Sequence, residues 1–496
     1  MNPARRLSIL AVLLPVAAFS GDRPDFVPHQ PELFDYPNGQ ALAWADFDRD
    51  GDLDLVVGFQ GRPLALFANT NGRFEDVAAE LDILQMPVDT RSLSWGDFNN
   101  DGWPDLFVGF GRDAGVRSML FENREGRFAE VSAQYGVDVP GTHRQASWID
   151  YDNDGDSDLF VAMRDRASRL LRNDGDRFTD VSSEVGLNDP RRTVGAVWFD
   201  FDHDGDLDVF LANQSGDTDA MYRNDDGRFT DLASELGMNR LPSLAGRDLA
   251  EGSVGATLCD INRDGWLDLF VPTYGQDVFY VADGEGGFDE RSVELGVDQR
   301  DLAVGADCGD LNNDGREDLY NISYRSGETH GYDAFYWNTG NGFDRDFPDS
   351  LARFDGDHGV RFADFDGDGD LDIALTNRRP GGRLSVLRNE LPADQGAYLF
   401  VSVLDGRGNH TRQGSEVRLF DHETGRLLGT RIVDTGGGYI SQNLAPIHFG
   451  TGAHRLVDIE VTSMSAEGRR IIRVADIDVA DFEGRAVKVR LETGAP

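Results

Sequence analysis

Short apolar runs alternate with polar turns along this chain, and they recur in sets of four. The first run of a set is small and apolar, as in Gly195-Ala196-Val197 and Gly255-Ala256-Thr257. It carries one bulky residue near its end: Trp44, Trp95, Trp148, Trp198, Leu258, Cys308 and Phe362 in successive sets. A second run follows an acidic loop (53–59, 106–110, 207–212), and a third ends near an asparagine (64–69, 119–123, 170–173, 221–224). The fourth opens on Gly-x-Phe, as in Gly72-Arg73-Phe74, Gly126-Arg127-Phe128 and Gly227-Arg228-Phe229. Seven sets of four strands, each about 50 residues long, predict an all-β fold, a seven-bladed β-propeller. The last set has no fourth run after its third (384–389), whereas Asp25-Phe26-Val27 ahead of the first set resembles one. That segment is expected to complete blade seven, closing the ring and protecting an open sheet edge.

The acidic loops have one pattern, oxygen-bearing side chains at positions 1, 3, 5 and 9 with glycine at position 6. Taking positions 1, 3, 5, 7 and 9, the first loop offers Asp46, Asp48, Asp50, Asp52 and Asp54. The second offers Asp97, Asn99, Asp101, Trp103 and Asp105, and the third Asp150, Asp152, Asp154, Asp156 and Asp158. The fourth has Asp200, Asp202, Asp204, Asp206 and Asp208, and the fifth Asp260, Asn262, Asp264, Trp266 and Asp268. The sixth has Asp310, Asn312, Asp314, Arg316 and Asp318, and the seventh Asp364, Asp366, Asp368, Asp370 and Asp372. A hard cation such as Ca²⁺ takes six to eight oxygens, and carboxylates crowded without one repel each other. Asparagine at position 3 keeps the oxygen and drops the charge. At position 7 only a backbone carbonyl can be the shared ligand, which leaves that side chain free to vary. An EF-hand does not fit, because it needs a bidentate glutamate at position 12 and flanking helices; position 12 of the first loop is Val57 inside a strand-like run. A solvated acidic turn explains one such stretch but not seven in register. Up to seven structural Ca²⁺ ions are the expected cofactors.

The formal charge is −42, and 30 of the 89 acidic residues lie within these loops. Seven divalent ions would bring the charge to −28. Such an acidic balance excludes nucleic acid and anionic membrane surfaces as natural partners. Residues 1–20 combine Arg5 and Arg6 with an apolar run and small residues before Gly21, the pattern of a secretory signal peptide. The mature chain is therefore expected to be secreted or periplasmic, with no membrane span. Export permits a disulfide between Cys259 and Cys308. Counted back from their loops, however, the two lie at positions −1 and −2 and face opposite sides of their blades, so the register predicts two buried free thiols.

These motifs resemble the FG-GAP (VCBS) repeats of integrin α-subunit propellers and of bacterial exported proteins, over about residues 25–390. The resemblance implies one Ca²⁺ per loop on one face of the ring and partners on the opposite face. After a linker at 391–396, residues 397–496 form another β-rich unit. Its segments Gly414-Ser415-Glu416-Val417, Gly436-Gly437-Gly438-Tyr439-Ile440-Ser441-Gln442 and His448-Phe449-Gly450-Thr451-Gly452 resemble the ASPIC/UnbV domain that follows such propellers in the cartilage acidic protein family. The chain departs from that pattern at 462–468, where the family has a Trp-Pro-x-Gly turn. The expected organisation is thus a leader (1–20), a propeller (21–390), a linker (391–396) and an ASPIC/UnbV-like domain (397–496).

No Gly-x-Ser-x-Gly, His-Glu-x-x-His or phosphate-cradling loop is present. His448 reads as a hydrogen-bonding residue and Gly436–Gly438 as a tight turn. The column tryptophans read as core, while Tyr324, Tyr332, Phe335, Tyr336 and Trp337 divide between core and a possible binding patch. Basic residues recur at the far ends of the inner strands: Arg91, Arg144, Arg191, Arg192, Arg247, Arg300 and His358. Two readings stand for these residues. They form a ligand rim at the channel mouth, or they pair with local acids such as Asp248, Glu251 and Asp301. The expected function is an exported calcium-binding adhesion or binding module for an extracellular protein or anionic glycan. The alternative is a propeller enzyme, a polysaccharide lyase or a tailoring enzyme for a secreted metabolite. Its base would lie near His143/Arg144 or His358/Arg361.

Overall fold

The computed structural model describes residues 23–111, 115–239, 252–323, 333–346, 358–378, 381–392 and 396–491, with the side chains of 300 and 301 excepted. The expected leader, Arg247, Asp248, Glu251, Tyr324, Tyr332 and the side chains of Arg300 and Asp301 lie outside the described residues. No helix among the described residues is long and apolar enough to cross a membrane.

Seven antiparallel four-stranded blades are present. Blade one runs outward as Gly39–Ala45, Asp54–Arg62, Ala65–Thr70 and Arg73–Asp76. Blade seven runs as Val360–Ala363, Asp372–Leu375 and Ser385–Glu390, and its fourth strand is Asp25–Pro28 from the start of the described chain. The ring closes as the strand pattern predicts. Phe26 is buried in that closure and stacks on Phe335 of blade six at 5.3 Å between centroids.

The inner strands explain their own composition. They converge on the axis, where a Cβ on Gly195 would stand 3.0 Å from the Cα of Gly255 in the next blade. Five of the inner strands also shift register near their starts, at Gly39/Leu42, Thr90/Ser92, His143/Ala146, Thr193/Gly195 and Ala303/Gly305, the irregularity that bends a strand. The bulky column packs between blades. Trp148 meets Phe178, the Gly-x-Phe-type residue of its own blade, at 6.0 Å, and stacks on loop residue Phe98 of the blade before at 6.3 Å. Trp44 repeats this with Phe74 and Phe365. Phe335, Tyr336 and Trp337 are buried core residues.

Cys259 and Cys308 are joined in a disulfide with their Cα atoms 6.2 Å apart, which corrects the expectation of free thiols. The register was right, but its consequence was inverted. Consecutive blades stack face to face, so side chains on opposite faces of adjacent inner strands point at one another.

Residues beyond 396 form two sheets around one apolar core that includes Leu399, Val417, Phe449 and Ile459. One sheet holds Ile447–Gly452, Ala397–Asp405 and Ala486–Leu491, the last pair parallel. The other holds Leu427–Ile432, Glu416–Asp421, Leu456–Ser463 and Arg470–Asp478.

Candidate metal centres and the filled channel

All seven acidic loops share one backbone. Position 6 is a glycine at positive φ, from 85° at Gly315 to 107° at Gly205. Position 4 is also left-handed in every loop: Arg49, Asn100, Asn153, His203, Arg263, Asn313 and Gly367. The turn brings the position 6 N–H onto Oδ2 of the position 1 aspartate at 2.7–3.3 Å in every blade. The position 9 aspartate closes the loop base. One of its oxygens accepts the position 2 N–H at 2.9–3.2 Å, and the other accepts an N–H from the end of the third strand at 2.7–2.9 Å.

The remaining oxygens converge. Carboxylate oxygens lie within 4.8 Å of one another in Asp46/Asp48/Asp50, Asp150/Asp152/Asp158, Asp200/Asp202/Asp208 and Asp364/Asp366/Asp372. In the other three loops an asparagine (Asn99, Asn262 or Asn312) holds position 3. Oδ1 atoms of Asp46, Asp150, Asp152, Asp200 and Asp366 are buried with no hydrogen-bond partner. Burial raises the pKa of Asp46 to about 6, of Asp97, Asp150 and Asp364 to about 7, and of Asp200 to about 8. Buried carboxylates facing each other with unused lone pairs fit an oxygen-seeking cation, which would reverse these shifts.

Two inter-blade ladders link the loops. The asparagine that ends a third strand donates both to its own loop and to the loop of the preceding blade. Asn123 Nδ2 donates to Pro104 O and to Phe47 O, and Asn69, Asn173, Asn224 and Asn389 do the same. In five of the loops position 7, expected to be free to vary, meets position 4 of the preceding loop. Asn100 meets Asp156, Asn153 meets Asp206 and Asn313 meets Asp370, each at 2.8–2.9 Å. Where position 7 is tryptophan, its neighbour is cationic or aromatic: Arg49 lies over Trp103 at 5.1 Å, and His203 stacks on Trp266 at 3.6 Å.

The C-terminal unit sits on this loop face. Asn409 donates to Asn100 O at 2.8 Å, and Arg418 to Gly265 O at 2.9 Å. Arg412 approaches Asp150 at 3.8 Å and Arg469 approaches Asp200 at 3.6 Å. Arg431 pairs with Glu317, and His448 Nε2 bonds Gly369 O at 3.1 Å. Loops two to seven are all touched.

From this unit, residues 434–444 descend into the central channel. Innermost strands present one unpaired edge to the axis, and buried backbone groups must find partners. The descending segment supplies them. Ser441–Gln442 pairs in parallel with Leu93–Ser94, and Leu444 N–H donates to Trp44 O at 2.8 Å. Asn443 Oδ1 takes the Trp44 N–H, Gln442 Oε1 the Trp148 N–H, Thr435 Oγ1 the Trp198 N–H, and Gly438 O the Val360 N–H. Asp434 clamps the base through the N–H groups of Gly436 and Asn443 and through Arg361. The Gly436–Gly438 stretch is small because inner strands crowd it; a Cβ on Gly438 would stand 2.1 Å from Val360 O.

A model of the FG-GAP-like repeat matches residues 46–108, 150–211, 200–271, 260–321 and 323–375, together more than half of the chain. The chain belongs to the FG-GAP-like repeat family. This FG-GAP-like repeat protein is 31% identical over 137 residues to cartilage acidic protein 1 of Xenopus tropicalis, and 28% identical over 145 residues to the Homo sapiens protein. These matches cover 26% and 27% of the chain and 21% of either relative, so the chain spans about a fifth of their length. Among solved structures it is similar to BBS1N in complex with ARL6DN, at 12% identity and a TM-score of 0.46, over 75% of this chain and 99% of that one. It is also similar to an Agrocybe aegerita lectin that recognises non-reducing terminal N-acetylglucosamine, at 17% identity and a TM-score of 0.37, over 72% and 90%.

The basic residues singled out from the sequence of this FG-GAP-like repeat protein do not share one environment. Arg91 is buried and bonded through Nε to both oxygens of Asp89. Arg144 is buried, with its pKa lowered to about 10 by desolvation, and donates to His143 O. His358 is buried edge-on to Tyr439, the tip of the descending segment. Arg192 is exposed and paired with Asp217, and Arg191 with Asp189 and Asp231. His143 spends Nε2–H on Val139 O and accepts the Phe110 N–H at Nδ1, and Arg361 is held between Asp307 and Asp434.

Proposed function

We propose that this is an exported, calcium-fastened binding module in which each loop holds one Ca²⁺. The observation that carries this reading is the set of buried, unpartnered aspartate oxygens repeated at equivalent loop positions. Residues at positions 1, 3, 5 and 9 would hold the ion with the position 7 carbonyl, position 9 bracing the loop base as well. The ion supplies positive charge where burial otherwise penalises the carboxylates, so its role is structural. The same ions support the C-terminal unit, whose Arg412 and Arg469 already lean on position 1 aspartates.

That unit occupies the loop face and fills the channel, which leaves the opposite face of the ring and the blade flanks for a partner. An extracellular protein or an anionic glycan suits this role. Because ions bind the folded chain far better than the unfolded one, stability should track free Ca²⁺. Melting followed with and without a chelator at pH 7.5, alongside equilibrium dialysis for stoichiometry, tests the reading. The expected result is several bound ions and a large drop in melting temperature on chelation; an unchanged melt overturns it. Screening extracellular proteins and anionic polysaccharides for calcium-dependent binding tests the partner class.

A further inference from the structure

A cavity of about 550 Å³ opens between the C-terminal unit and blades five, six, seven and one, a size and domain-junction position typical of small-molecule sites. Its wall is mixed, with an apolar part in which Phe362, Phe365 and Leu371 belong to the propeller and Phe400, Ile432 and Pro446 to the C-terminal unit. The charged groups inside it are mostly satisfied. Arg361 is tied to Asp307 and Asp434, and Arg431 to Glu317. Two features of the C-terminal side stand out. His448 lines the cavity and is 6% exposed, and its Nδ1 has no partner while Nε2–H is spent on Gly369 O. Lys488 lines it too, exposed and without an ion pair among the described residues. It is the one lysine of the 496 residues; every other long cationic side chain is arginine. Arg485 stands beside it on the same wall.

We propose that this cavity binds a small amphipathic organic acid, its apolar body held between the two units and its anionic group on Lys488. The acid's class follows from the wall. An apolar lining selects a hydrocarbon body, and an unneutralised ammonium selects an anion. His448 Nδ1 adds an acceptor for a hydroxyl on that body. Of the five carboxylates on the propeller side, Asp307 and Glu317 pair with Arg361 and Arg431, and Asp46, Asp52 and Asp364 belong to the first and seventh loops. The proposal therefore rests on those loops carrying cations that neutralise them.

The test uses the full chain in millimolar Ca²⁺ and anilinonaphthalene sulfonate as the fluorescent probe. Saturable one-site binding is expected, displaced by decanoate and not by decanol. Lys488→Ala should weaken it about tenfold, the scale of one charge-assisted hydrogen bond. Because Lys488 is exposed, that change should leave the fold intact. A readout needing no variant is acetylation of Lys488 by an amine-specific reagent, followed by mass spectrometry, which decanoate should slow. Absence of saturable binding, equal displacement by decanol, unchanged affinity in Lys488→Ala or unprotected acetylation would each overturn the site. The two failures are distinguishable. A protein that melts lower on chelation yet binds no probe loses only the cavity proposal, whereas one indifferent to chelation loses the calcium reading and the cavity proposal that rests on it.

Discussion

Gln442 is the sharpest test of the filled channel. Its Oε1 accepts the Trp148 N–H at 2.7 Å, and its Nε2 donates to Trp148 O at 3.1 Å and to Asp434 O at 2.9 Å. Both Gln442 and Trp148 are fully buried. In Gln442→Ala the donor and the acceptor of Trp148 lose their partners together, with no neighbouring strand to replace them. Each stranded backbone group costs about 1–3 kcal/mol, so the pair should cost ~2–6 kcal/mol. The substitution is 294 residues away in sequence from the groups it exposes, so a local strand model predicts nothing for blade three. Amide exchange read by mass spectrometry on peptides spanning Trp148, in saturating Ca²⁺, measures the effect where it arises. A loss of even 2 kcal/mol there speeds exchange about thirtyfold. Gln442→Glu sets a buried carboxylate against the carbonyl oxygens of Trp148 and Asp434 and should speed exchange at least as much as alanine. If exchange at Trp148 in Gln442→Ala matched the parent within a factor of two, the segment would not fill the channel in solution, and the account of the inner strand edges would be wrong.

Ring closure predicts that Phe26→Ala costs ~3–5 kcal/mol by urea unfolding, as for other buried aromatics, whereas Val27→Ala beside it, 43% exposed, costs little. Replacing both Cys259 and Cys308 by serine should lower stability by about 4 kcal/mol, the loop-entropy value for cysteines 49 residues apart, with the blade five and six peptides exchanging first. Burial lowers the pKa of His143, so between that value and the ordinary histidine value the unfolded chain binds a proton that the native chain does not. Stability in saturating Ca²⁺ should therefore fall as pH drops from 7.5 towards 5, by at most about 1.4 kcal/mol per pH unit from this residue, and His143→Gln should flatten the slope. A double-mutant cycle on Arg49 and Trp103 should return a coupling of about 0.5–1 kcal/mol, and zero coupling would reduce the position 4 and position 7 pairing to coincidence.

Much of the molecule was legible in the chain because its determinants are local and repeated. Strand, loop, strand and Gly-x-Phe are encoded within each repeat, and seven copies in register average away the ambiguity of any one. The missing fourth strand and its substitute at Asp25–Pro28 were visible for the same reason, since a gap in a regular array points to its filler. The aspartates at positions 1 and 3, which come together with position 5 or position 9 in four of the loops, were legible as one set. Position 4 was not singled out, although asparagine and glycine at four of its seven places carry the signal for a left-handed residue. Position 7 looked free because its partner lies in the preceding loop, about 50 residues away, where no local pattern reaches.

The sequence alone determined what each blade is and which oxygens could gather around an ion, because both depend on spacings of a few residues. The tertiary structure decided everything that depends on which surfaces meet. Face-to-face blade stacking turned an opposed register of cysteines into a disulfide. The unpaired inner edges of the ring demanded partners, and a glycine-rich segment that read as a simple turn supplied them. That same insertion buried Arg91, Arg144 and His358 beneath Tyr439 and moved the open, chemically diverse cavity to the seam between the two units. Backbone hydrogen-bonding capacity is identical at every residue, so the sequence cannot mark where it will go unmet; only the closed ring does.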